Sequence, residues 1–289
     1  MPSVELEYPT KPYSKVNRYD VRATYALKTI HEIINTCPVL QVSFTVPDSP
    51  FPMMLPMIGQ MGSFARPSAD TGDVLELYLH GYVSSRLINL SRKGGASSGG
   101  GDDGPGGDTA EPGGGGGLPV TVGASHVDGL VLSLTPNSHS YNYRSAVLFG
   151  HAAVVTDAAE KLWAMELITD GVVRGRWRHT RVPPSAAEMA STSVLRVAVA
   201  AGSAKVRAGP PSDERADRAD AALRDRVWTG VVPVRYVLGE PLPGPYNTLA
   251  APPAYLDEFV REANRAAAEA ALEAATQAAV PKTKGEDEG

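Results

Sequence analysis

The chain has 289 residues, 43% hydrophobic and 20% charged, with 27 basic side chains against 32 acidic ones and a single cysteine. One cysteine excludes a disulfide framework and a Cys-rich zinc site, and a net charge of -5 gives no electrostatic reason to expect nucleic acid. The apolar content is that of a globular protein, and the length allows one large domain or two small ones.

The N-terminal MPSVELEYPTKPYSK has no basic start followed by an apolar run, so it does not read as a signal peptide. No stretch approaches the roughly 18 apolar residues that span a bilayer, and the expectation is a cytoplasmic chain with no membrane partner. Asp20 can cap a helix running to about Asn35, with Val21, Leu27, Ile30, Ile33 and Ile34 on one stripe. Pro38 ends it, and Val39 to Val46 alternates as a half-buried strand. Cys37, at the helix end beside that strand, reads as a buried, inert thiol. The prolines of Phe51 to Ile58 push that apolar segment to a sheet edge or a bulge. Val74 to His80 is the clearest strand, with Leu75, Leu77 and Leu79 on one face and Glu76, Tyr78 and His80 on the other. A short helix, Ser84 to Arg92, follows.

Residues Gly94 to Gly117 hold 13 of the chain's 29 glycines. Such a segment cannot bury enough surface to offset its ordering entropy, so it reads as a disordered insertion and not as a phosphate loop. Beyond it, Val120 to Val122, Gly129 to Thr135 and Ala146 to Val155 favour strands. Asp157 with Glu160 opens a helix of about a dozen residues that turns Leu162, Met165 and Leu167 inward, and Ser185 with Glu188 opens a shorter one. Strands resume at Val194 to Val199 and Trp228 to Tyr236, separated by a solvated charged stretch from Lys205 to Arg226. Tyr255 to Val280 is an Ala-rich helix with Leu256, Phe259, Val260 and Ala263 as its contact stripe, and its packing is expected to fade toward the polar tail. About seven short strands without βαβ alternation argue for a mainly β fold, an antiparallel barrel with flanking helices. Strands lie on both sides of the glycine tract, so the tract is expected inside one domain.

Three clusters could carry chemistry. In YLHGYVSSR, Tyr78 and His80 leave one strand face while Ser84, Ser85 and Arg86 open a helix, a combination suited to phosphate, although serine there is also an ordinary N-cap. The run from His139 to Ser145 reads as a cleft rim or a solvated loop. Lys205-Val206-Arg207 with Trp228 is the third, where core or interface filling is the commoner role of tryptophan. The six histidines show no HExxH or Cys-His spacing, and there is no GxSxG elbow.

Read in order, LELYLHGYVSSRLINL, DGLVL, YNYRSAVLFGHAAVV and VWTGVVPV resemble the pyridoxamine 5'-phosphate oxidase-like family of FMN-binding split barrels, and within it the flavin-nucleotide-binding and 5-nitroimidazole-reductase-like branch. The resemblance covers residues 15 to 240. It implies a split-barrel domain there, with the insertion at 94–117, and a C-terminal extension over 241–289 carrying helix 255–280. It also implies FMN in a groove at a homodimer interface and a small-molecule substrate. Carried over, Tyr78 matches the family's aromatic strand residue, Ser85 and Arg86 the phosphate grip with Ser84 beside it, and His80 a flavin-facing position. Arg144 and Ser145 match the family's Arg-Gln pair, with serine a departure that the nitroimidazole-reductase-like branch shares. Trp228 matches its late tryptophan. Two basic elements of the oxidase proper are missing: FPMMLPMI carries no charge, and Val234-Arg235-Tyr236-Val237 stands where Arg-x-His handles substrate. The expectation is an FMN-dependent oxidoreductase that does not oxidise pyridoxamine phosphate, with a non-catalytic flavin- or haem-binding module as the alternative. A flavin brings its own redox chemistry, which suits a sequence with no acid–base or nucleophilic constellation.

Overall fold

The computed structural model describes residues 5–47, 49–82, 85–96 and 116–278, with the side chains of 93–96 outside the description. Ser84 and most of the glycine tract lie outside it. Nine strands enter one sheet: β1 (Ala23–Thr24), β2 (Leu40–Phe44), β3 (Met53–Met57), β4 (Gly59–Gly62), β5 (Glu76–Tyr82), β6 (Leu118–Leu132), β7 (Ser140–Val154), β8 (Thr192–Arg207) and β9 (Gly230–Pro233). Their order is β3-β2-β6-β7-β8-β5-β4, with β1 on β8 and β9 on β6. The pairs β2/β3, β2/β6, β4/β5, β5/β8 and β6/β9 are antiparallel. The fold is the mainly antiparallel, mainly β architecture read from the sequence. As its prolines require, β3 is an edge strand, where a missing N–H costs no ladder bond.

Helices α1 (Leu27–Thr36), α2 (Arg86–Ala96), α3 (Ala158–Val172), α4 (Ala186–Ser191), α5 (Arg215–Ala219), α6 (Ala221–Arg226) and α7 (Ala254–Thr276) complete the described residues. The helix expected from Asp20 begins only at Leu27. Asp20–Arg22 is instead a single 3-10 turn that leaves Val21 exposed, while Leu27, Ile30, Ile33 and Ile34 form the buried stripe. Cys37 is buried, as its setting implied. Both capping pairs form: Asp157 accepts from the Glu160 amide at 2.7 Å, and Ser185 with Glu188 closes a full capping box.

Two compact units divide the chain. The first is Met1–Val16, Thr24–Ala124 and Ala146–Ala204; the second is Asn17–Ala23, Ser125–Ser145 and Lys205–Gly289. Both flanks of the glycine tract fall in the first unit.

In the first unit, β5 is covered on both faces in its middle. Leu77 and Leu79 are fully enclosed on one side, and Tyr78 is equally enclosed on the other, where Val155, Ala164, Ile168 and Val194 bury its ring. Trp163 meets that ring edge-on at 5.1 Å. The face expected to be polar is thus closed by α3, which the alternation of β5 alone could not reveal. The same helix turns Ala164 and Ile168 deepest, with Met165 and Leu167 only partly buried.

In the second unit, β9 registers against β6 from Gly129↔Pro233 to Leu132↔Gly230. Asn264 of α7 both donates to and accepts from the Leu238 backbone, at 2.8 Å each way. Packing of α7 does not fade along the helix. Ala271 is its most buried residue, and the Ala274 carbonyl accepts from Asn142 at 2.9 Å and from the Gly209 amide at 2.7 Å. A row of alanines lets a neighbouring backbone come close enough for main-chain bonds, a possibility that a reading based on large side chains misses.

Candidate functional site

The first unit holds a cleft of about 470 Å³ lined by Tyr13, Ser43, Phe44, Thr45, Pro52, Pro119, Val120, Thr121, Phe149, Gly150, His151 and Ala200. The ends of β2 and β6, the later part of β7 and the middle of β8 supply most of its wall. Its size lies in the span of about 300–1,000 Å³ usual for ligand sites. Tyr13 and Phe149 meet edge to face at 5.1 Å, so the N-terminal segment contributes an aromatic wall. Gly150 has no substitute here: a Cβ would stand 2.3 Å from the Ala198 carbonyl. None of the lining residues is a lysine, arginine, aspartate or glutamate. The walls offer aromatic faces, the hydroxyls of Ser43, Thr45 and Thr121, and the His151 imidazole, a set that suits an uncharged planar ring better than a phosphate. LFGHAAV carried a readable hint, a histidine following a glycine in a strand. No signal in the sequence could have brought Tyr13 to it.

The residues expected to hold a flavin divide between the units. In the first, Tyr78, matched to the family's aromatic strand residue, sits in the core: its hydroxyl donates to Glu160 at 2.9 Å and lies 3.2 Å from Glu76. Arg196 neutralises both acids, at 3.2 Å from Glu160 and 3.3 Å from Glu76. Burial, and then the two carboxylates, hold the Tyr78 phenol far above its ordinary range, so it stays a neutral donor. His80, on the outward end of β5, is exposed. Ser85 accepts from the Ile88 amide at 3.3 Å and so caps α2, the ordinary role weighed for it. Arg86, the first residue of α2, is exposed. Ser84 lies outside the described residues.

In the second unit, the run from Ser140 to Ser145 is neither a solvated loop nor a rim but the start of β7. Arg144 makes a two-pronged bond to Asp128, at 2.8 and 2.9 Å, and this keeps its guanidinium charged and fixed. Ser145 donates to the Lys205 carbonyl at 3.3 Å. Asn142, fully buried, donates to the Gly209 and Ala274 carbonyls and accepts from Arg207. Lys205 and Arg207 end β8 and are not part of a solvated stretch. Trp228 is 66% exposed.

Several histidines are occupied. His31 is fully buried between the Tyr8 hydroxyl at 2.7 Å and the Thr71 carbonyl at 2.8 Å. Burial first lowers its pKa, and the Thr71 bond partly restores it. His139 lies within hydrogen-bond reach of the Ser133 amide, and His179 of the Gly175 carbonyl. Among the described residues, no hydrogen bond holds either ring nitrogen of His80 or His151. No group of three or more His, Cys, Asp or Glu among the described residues could hold a metal ion by itself.

A mainly antiparallel sheet with flanking helices and a cleft at its strand ends defines the split-barrel class. Residues 104–206 match the family described as Pyridoxamine 5'-phosphate oxidase, so the resemblance read from the sequence is borne out. Two solved structures are similar over nearly their whole length. One is the flavocytochrome Anf3 from Azotobacter vinelandii, at 27% identity and TM-score 0.64, covering 88% of this chain and 99% of that one. The other is the FAD and haem binding protein from Mycobacterium smegmatis, at 25% identity and TM-score 0.62, covering 83% and 97%. A 5-nitroimidazole antibiotic resistance protein from Bacteroides thetaiotaomicron is similar at 18% identity and TM-score 0.43, covering 64% and 86%. Among curated proteins, none matches. No helix among the described residues is long and apolar enough to cross a membrane.

Proposed function

We propose that this chain is a flavin-binding redox protein that also carries haem, an electron-transferring oxidoreductase of the flavocytochrome kind. The observation that carries the reading is the full-length likeness to two proteins named for those cofactors, one of them for FAD and haem together. The residues present fit. The uncharged, aromatic walls of the cleft suit a porphyrin or an isoalloxazine ring, and His151 adds an imidazole that no hydrogen bond among the described residues occupies, the donor type that haem iron takes. Arg86 and Ser85 remain the proposed grip on the flavin phosphate, and His80 a proposed neighbour of its ring. Bound flavin would supply hydride and single-electron chemistry. The chain's own residues would place it, exclude water and set the local charge, and none need act as a nucleophile.

The narrower expectation, FMN alone acting on a small organic substrate, is the second reading, favoured by the family match over residues 104–206. A homodimer is proposed in either case. In the second unit Trp228, Tyr236 at 71% exposure, and Leu242 and Tyr246 at 90% each leave apolar side chains uncovered, and a second copy is the proposed cover. Titrating cofactor-depleted protein separately with FMN, FAD and hemin tests the reading. Saturable uptake of a flavin and of hemin is expected, with His151→Ala impairing hemin alone. A chain that binds FMN but no hemin would leave the second reading, and one that binds neither would overturn both.

A further inference from the structure

Tyr19 is the one non-glycine residue with a positive φ among those described, at φ 53° and ψ 54°. An aromatic L-residue rarely adopts this left-handed conformation unless its surroundings hold it there, and such strain gathers where a ligand is met. Three cations surround the ring: Arg22 at 4.5 Å from its centroid, Arg18 at 5.3 Å and Lys205 at 5.5 Å. The Lys205 ammonium also donates to the Arg18 carbonyl at 2.6 Å, which ties the end of β8 to this turn. An aromatic ring has two electron-rich faces, so it can favour two cations fully, and the third gains little while repelling the others.

Nothing anionic among the described residues balances Arg18 or Arg22. Neither guanidinium forms an ion pair, and Asp20, the one acid between Asn17 and Ala23, is exposed and pairs with neither. Behind them Arg207 is almost fully buried on two neutral partners, the Asn142 side chain and the Pro210 carbonyl. Burial and then the charge of Arg22 lower its pKa, so Arg22 adds to the local positive potential. In a chain of net charge -5, such a gathering of cations is not a matter of overall composition.

We propose that Arg18, Arg22 and Lys205, arranged around Tyr19, form an anion site for a phosphate-bearing small molecule. Guanidinium forks match phosphate oxygens in pairs, and the lysine adds a point charge beside them. The site stands on these residues alone and does not depend on which cofactor the protein carries. A free phosphorylated metabolite or the phosphate of a bound nucleotide would meet the same chemistry.

The test is calorimetric titration of the protein as isolated with inorganic diphosphate, together with ³¹P spectroscopy of the same sample after exhaustive dialysis. The expected result is saturable one-to-one binding, pointing to a free ligand, or a retained phosphoryl signal that Arg18→Ala depletes and Arg86→Ala does not, pointing to a nucleotide held at this site. Arg18→Ala and Arg22→Ala should each weaken diphosphate binding, or deplete the retained signal, by roughly tenfold. Arg224→Ala removes the same charge from α6 and should change nothing. Lys205→Ala should cost as much as the arginine variants; because it also frees the Arg18 backbone, Arg18→Ala, an exposed side chain, decides the matter if that variant fails to fold. Absence of both signals, arginine variants that bind like the parent chain, or an equal loss in Arg224→Ala would each overturn the proposal.

Discussion

Two tyrosines in this chain are ringed by charge, and they are ringed differently. Around Tyr78 the charge closes on itself: its phenol, beneath the cover of α3, donates to Glu160, Glu76 lies beside it, and Arg196 balances both acids from the exposed side. Around Tyr19 three cations gather on a strained turn, and among the described residues no acid pairs with the two arginines. A satisfied polar cluster within a core fixes a structure, because breaking it leaves a buried group unpaired. Cations left without an acid have no such structural return and mark a place where something else completes the balance. Residue type was therefore a poor guide to role: the tyrosine that the sequence marked for a ligand holds the core, and an unremarked one carries the open site.

The contrast breaks most readily at its closed end. Tyr78→Ala should cost about 3–5 kcal/mol, a large aromatic removed from a packed interior, seen as a lowered urea midpoint. A loss below about 1 kcal/mol would mean that the cluster does not hold this core together. Asn142→Ala comes next, at about 2–3 kcal/mol, because it strips Arg207 and two backbone carbonyls of their partner. Limited proteolysis should then cut near α7 first, because Asn142 no longer holds the Ala274 carbonyl, and uniform cutting along the chain would count against that role. Ser85→Ala should cost about 1 kcal/mol through the lost cap of α2. Arg86→Ala, at an exposed position, should leave stability within about 0.5 kcal/mol while weakening flavin uptake, and unchanged uptake would remove Arg86 from the site.

The smallest effect is in pH. His31 has its folded pKa below the ordinary value, so the unfolded chain takes up its proton first as pH falls. Its contribution is fully present above about pH 6.5 and declines as pH drops from there toward the folded value. His31→Gln should flatten that part of the stability profile, and an unchanged slope would place its source elsewhere.

Strands with strict alternation and helices with side-chain caps were legible in the sequence. The Asp157 and Ser185 caps, the edge position of β3 and the buried stripe from Leu27 to Ile34 all follow from local rules. Strand length was not legible: β6, β7 and β8 run 15, 15 and 16 residues, through stretches whose polar residues looked like loop. Those polar residues are paired with distant ones, Arg144 with Asp128 and Asn142 with Arg207, and local patterning contains no such information. The cleft was partly hidden for the same reason. Gly150 and His151 could be seen on their strand, whereas Tyr13 reaches Phe149 across 136 positions of sequence. The open site was the least visible. Its strain and its convergence on one ring exist only once the end of β8 meets the turn at Tyr19.

The central claim is that the chain carries a flavin and a haem, and the visible absorbance spectrum of the purified protein tests it most directly. The account predicts the flavin bands together with a Soret band that shifts on reduction. A spectrum with neither, in protein that also fails to gain them from added flavin and hemin, would contradict it.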